Sequence, residues 1–165
     1  MSNHFREMAL KAKAAYDEKV ATKRRKKEAD ADAKAKGILA QVEVLRDEVL
    51  PLLNEAKVAL EETGVGVKIA EEYLDEASSN QPPRILFQCL GLKRPSDGSQ
   101  IQTSGLAFTV EGDQVWAAAA ESATASRYSV RLGSSRIGDG RTIVSKAVQH
   151  AVNAYYAELS RHQGW

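Results

Sequence analysis

The sequence predicts an α+β fold: a long N-terminal helical segment, then a four- to five-stranded antiparallel sheet packed on a C-terminal helix. Three observations predict it. Residues 1–36 lack Pro and Gly and are rich in Ala, Lys, Glu and Asp, a composition of high helix propensity. Leu106 to Ala120, LAFTVEGDQVWAAAA, consists of two alternating runs about Gly112-Asp113, a short-hairpin signal because glycine tolerates the positive φ of primed turns. Val144, Val148, Ala151, Tyr155 and Leu159 recur at helical spacing in a segment that Asp139 or Thr142 can cap.

The first helical half carries a weak apolar stripe, Phe5, Met8, Ala12, Tyr16 and Val20, which fades into charge. Lys23, Arg24, Arg25, Lys26 and Lys27 are consecutive and so encircle a helix, offering either a solvated surface or a contact to nucleic acid or another polyanion. Beyond Gly37, Ile38, Val42, Leu45, Val49, Leu52, Ala56 and Leu60 repeat in steps of three and four, the seam of a helix packed along its length. Pro51 interrupts that seam and calls for a kink or a fresh helix start, since an internal proline costs about 3 kcal/mol. Two arrangements are open: the chain folds back at Gly37, or a long helix pairs with a second copy. Gly37 has no flanking turn residues, which favours a long helix and self-association as a dimer through Ile38, Val42, Leu45, Val49 and Leu52.

Thr63-Gly64 ends the helix, so residues 1–63 read as a coiled-coil-like segment, basic in its first half and acidic in its second, and 64–165 as the sheet domain. Val65 to Ile69 alternates as a strand, and Arg84 to Leu92 is nearly continuously apolar, as in a central strand. Ser78–Pro83, Lys93–Gln100 and Ser122–Ser126 are loops by composition. In the hairpin, Val110 faces Val115, Phe108 faces Ala117 and Leu106 faces Ala119, which leaves Thr109, Glu111, Gln114 and Trp116 on the opposite side. Arg127 to Leu132 alternates, with Tyr128, Val130 and Leu132 toward the core and Arg127, Ser129 and Arg131 away from it.

Net charge is only +1, but the segments differ sharply. Residues 1–36 hold 11 Lys or Arg against 6 Asp or Glu, residues 37–80 hold 3 against 10, and 81–165 hold 9 against 6, giving +5, −7 and +3. The single Cys89 excludes an intrachain disulfide, and neither a leader-like nor a membrane-spanning run is evident, so a cytoplasmic location is expected.

No catalytic signature emerges. His4, His150 and His162 stand far apart without metal-ligand spacing, so neither a metal nor a cofactor is expected. Ser145 and His150 on one helix point about 140° apart, which does not bring a base to a nucleophile. Gly133 to Arg141 is a glycine-rich lead into a helix N-terminus, a weak anion-loop candidate with Arg136 and Arg141 at hand but without the Gly-Lys-Ser/Thr ending of a phosphate loop. Trp116 with Arg127 and Arg131 forms a candidate partner-binding face, unless the N-terminal helices cover it. The expected function is therefore that of a non-catalytic adaptor, self-associating through its helices and presenting a sheet face to a protein partner. Nucleic-acid binding by the basic run is the second reading, and a small-ligand-binding or enzymatic sheet domain the third.

Overall fold

A computed structural model of the chain describes residues 2–73, 82–91, 93, 98, 100, 103, 105–120 and 127–162, with only the backbone described at 2 and 162. Helix α1 spans Ser2–Val44, a π-helical turn spans Leu45–Val49, and α2 spans Leu50–Glu62. Strands β1 (Gly66–Glu72), β2 (Arg84–Leu90), β3 (Leu106–Glu111), β4 (Gln114–Ala119) and β5 (Val130–Arg136) precede α3 (Gly140–His162). This is the α+β order that composition and periodicity predict. No described helix is long and apolar enough to cross a membrane.

Packing divides the chain into residues 1–39 and residues 40–165, so the boundary falls near Leu39 and not after Thr63. The reason lies in the seam. Leu45, Val49 and Leu53 are 0% exposed and belong to the same apolar cluster as Ile85, Phe108 and Val115 of the sheet. Expected to face a second copy, Leu45 and Val49 are instead consumed by their own chain, because the sheet's inner face supplies the apolar surface that residues 23–36 lack. Leu52 is half-buried against the same cluster, Ile38 and Val42 are half-buried, and α1 is helical through Gly37 without reversal.

Local chemistry accounts for the breaks in the helical segment. Pro51 cannot donate to Asp47, four residues earlier, and its ring would press on that carbonyl. The chain widens into the π turn just before it and restarts as α2 with Pro51 in the first turn, as the sequence requires. At the other end Gly64 adopts φ 91°, its amide donates to the Glu61 carbonyl and that of Val65 to Leu60, which closes α2 in a Schellman turn.

The sheet is a meander in the order β1-β2-β3-β4-β5, antiparallel throughout. The hairpin register is the predicted one, with Val110 opposite Val115, Phe108 opposite Ala117, Leu106 opposite Ala119, and Gly112 at φ 60° in the turn. Strand β5 departs from expectation. It begins at Val130, three residues later than the alternation suggests, and a bulge between Ala117 and Ala118 leaves Leu132 unopposed while Gly133 takes φ 138°. Inner-face residues of the sheet meet the π turn, α2 and α3, and Ile143, Val144, Ala147, Ala151 and Tyr155 supply the helical side of the core. Most of the Lys93–Gln100 turn, the Ser78–Pro83 loop and the Ser122–Ser126 loop lie outside the described residues, although Lys93 and Gln100 form an antiparallel bridge.

Candidate binding face

Strand alternation decides what faces away from the core. Ile85, Phe87 and Cys89 of β2 point inward, so Arg84, Leu86 and Gln88 point outward. Across the ladder Ala107, Thr109 and Glu111 of β3 line up with Ala118, Trp116 and Gln114 of β4 on that outer side. The bulge then sets Arg131 opposite Ala118 and Ser134 opposite Trp116, three residues apart on one face, where an unbroken strand would turn one of them inward.

A shallow cleft of about 360 Å³ lies there, lined among others by Arg84, Thr109, Trp116, Arg127, Tyr128 and Arg131. Its cations sit on its aromatics. The Arg131 guanidinium carbon is 4.6 Å from the centre of the Trp116 ring, and that of Arg84 is 5.3 Å from the centre of Tyr128. Each arginine also meets a carboxylate: Arg84 Nε donates to Glu72 Oε2 at 2.6 Å, and Arg131 Nη2 donates to Glu111 Oε1 at 3.4 Å. The Arg131 pair is long and exposed on both sides, so it holds the guanidinium only loosely. Chemically this is a cationic rim laid over aromatic rings, suited to accepting further carboxylates in the planar, two-point manner of guanidinium.

The sequence thus brings Trp116 and Arg131 together as expected, with Arg127 beside them in the same cleft. Tyr128 is a correction, as it lines the outer cleft and not the core, because residues 127–129 precede the strand and period-two alternation does not govern them. Val130, also expected inside, is 43% exposed. Arg84 was missed. The signal was present in RILFQCL, whose inward Ile, Phe and Cys force Arg84 and Gln88 to the side that Trp116 occupies.

The anion loop has a different outcome. Glu48, on the π turn, sends Oε1 to the amides of Gly138 and Gly140, each at 2.7 Å, so the chain's own carboxylate fills the N-terminus of α3. Arg141 donates to both Glu55 oxygens at 3.2 Å, and this pairing pulls the Glu55 carboxyl below and pushes the Arg141 guanidinium above their ordinary pKa values. Arg136 stands opposite Gln114 on the outer sheet face. The two arginines do not converge on one anion.

Lys23 to Lys27 are all exposed on α1. Burial pushes the Cys89 thiol up to about 11, the reverse of what a nucleophile needs. Among the described residues no group of three His, Cys, Asp or Glu side chains could hold a metal ion. No protein family, curated protein or solved structure matches this chain.

Proposed function

We propose that this chain is a non-catalytic interaction module whose outer sheet face binds an extended acidic segment of a partner protein. The observation that carries the reading is the pair of guanidiniums seated over Trp116 and Tyr128 in one cleft. Ring contact lowers the rotameric freedom of each arginine before a ligand arrives, so less is lost on binding. It also separates this face from a base-stacking platform, because such a platform presents bare aromatic faces and here each ring has a guanidinium over it. Arg131 has the weaker internal partner and Arg127 the more open setting, so these two would take the incoming carboxylates while Arg84 stays with Glu72.

The test is fluorescence anisotropy with a labelled Asp/Glu-rich peptide, its Asn/Gln counterpart and a single-stranded oligonucleotide. The acidic peptide should bind, Arg127→Gln and Arg131→Gln should each weaken it about tenfold, equivalent to ~1.4 kcal/mol, and the Asn/Gln peptide should not bind. Equal binding of both peptides would remove the reading.

A second reading concerns the basic run, since Lys23, Arg24, Arg25, Lys26 and Lys27 are exposed and none enters an ion pair among the described residues. Contact with a polyanion there would show as oligonucleotide binding that falls steeply with salt and survives Arg131→Gln.

A further inference from the structure

We infer that Glu111 is a stand-in for the ligand, a carboxylate of the chain's own that occupies Arg131 until a carboxylate of the acidic segment takes its place. The inference rests on the acidic-segment reading above and names the residue that tunes its affinity. Glu111 belongs to the cleft, where it lines the outer sheet face with Trp116 and Arg131, and its Oε1 accepts from Arg131 Nη2 at 3.4 Å.

The register shows why this pair is weak. Glu111 stands opposite Gln114 and Arg131 opposite Ala118, so they lie two strands apart and are separated along β4 by the stretch from Gln114 to Ala118. At ordinary strand spacing that is on the order of 15 Å from backbone to backbone, and both side chains must stretch to meet. Trp116 is the midpoint of that stretch on the same face, and the extended guanidinium comes to rest over its ring, 4.6 Å from the centre. Holding two long side chains straight in the open costs rotamer freedom that one long contact scarcely repays.

Other arginine–carboxylate pairs of the chain are made differently. Arg141 donates to both oxygens of Glu55, and Arg84 meets Glu72 at 2.6 Å with its own side chain only 20% exposed. Glu111 instead engages Arg131 through one N–H, and the two side chains remain 53% and 60% exposed. An incoming carboxylate that is free to align can take two parallel N–H donors where Glu111 takes one. Trp116 keeps the guanidinium in the cleft while the carboxylates exchange, and Glu111 returns to water without leaving a buried charge behind.

The experiment is a double-mutant cycle on the full chain, read by anisotropy with the labelled Asp/Glu-rich peptide. Glu111→Gln removes the competing charge and should tighten binding about three- to fivefold, the scale of an exposed ion pair. In an Arg131→Gln background the same substitution should change affinity by less than about 1.5-fold, because no guanidinium is left to release. Glu111→Asp separates contact from charge: it keeps the carboxylate but is one methylene too short for a stretched pair, so it should also tighten binding, by about twofold. A Glu111→Gln protein that binds no tighter than the parent, a gain of equal size with and without Arg131, or a Glu111→Asp protein indistinguishable from the parent would each overturn the inference and leave the acidic-segment reading standing. If the parent and Glu111→Gln both ignore the peptide, that reading falls and this inference falls with it. Urea unfolding checks that the exposed substitutions leave the fold intact.

Discussion

Glu48 offers the most direct test of how the helical segment is tied to the sheet. Its carboxylate accepts two backbone hydrogen bonds at the start of α3, each at 2.7 Å. A hydrogen bond to a charged group contributes about 1.5–3 kcal/mol, and a carboxylate at a helix N-terminus about 0.3–1 kcal/mol more. Water reaches the half-buried site and replaces part of this, so Glu48→Ala should cost about 2–3 kcal/mol and lower Tm by roughly 5–10 °C in a chain of this length. Glu48→Gln keeps one acceptor without the charge and should cost about half as much. The neighbouring glycine gives an internal control. A Cβ at Gly140 would lie 2.7 Å from Glu48 Oε1 and 2.9 Å from its Cγ, so Gly140→Ala displaces the carboxylate. In a Glu48→Ala background that obstacle is gone, and alanine in a helix gains about 0.5–1 kcal/mol over glycine. The same substitution should therefore destabilise the parent and stabilise the variant, read by urea unfolding of all four proteins. Inorganic phosphate should stabilise Glu48→Ala more than the parent, because it can occupy the vacated amides. A Glu48→Ala protein within about 0.5 kcal/mol of the parent, or a Gly140→Ala effect of the same sign in both, would refute the reasoning.

Leu45→Ala should cost about 2–5 kcal/mol of stability by leaving a cavity under the sheet, with no change in molecular mass; loss of mass without loss of stability would contradict its burial. For Cys89, burial raises the native thiol from an ordinary value near 9 to about 11. The native state thus holds its proton longer than the unfolded state, so this contribution is complete below about pH 9 and declines as pH rises toward 11. Cys89→Ala should flatten the alkaline loss of stability, and the native thiol should react with an aromatic disulfide reagent far more slowly than the denatured one at pH 8.

Much of the fold was legible because local signals coincide with long-range needs. Gly112-Asp113 sets the hairpin register, Pro51 marks the helix restart and Gly64 the helix end, each through the backbone chemistry of one or two residues. Where sequence reasoning failed, the deciding partner was remote. The seam from Ile38 to Leu60 has the spacing of a helix pair, but spacing does not say what receives it, and here the chain's own core takes Leu45 and Val49 while Leu52, Ala56 and Leu60 pack at its edge. Glu48 meets Gly140 across 92 residues, with no pattern in either stretch to announce it. Tyr128 was misplaced for a different reason: the strand starts only at Val130, so an alternation that looked regular does not govern residues 127–129.

The burial of Leu45, Val49 and Leu53 also determines what can be excised. A fragment starting after Gly64 would contain every strand and α3, and by inspection of the sequence it looks like an independent piece. It would nevertheless present the apolar side of Val67, Phe108 and Val110 to water where α2 packs on β1 and the π turn on β3. Its α3 would also begin with two amides stripped of their carboxylate. Such a fragment is a template for sticking to itself, and the shortest autonomous portion of this chain begins upstream of the π turn, in a stretch that outwardly belongs to the helical arm.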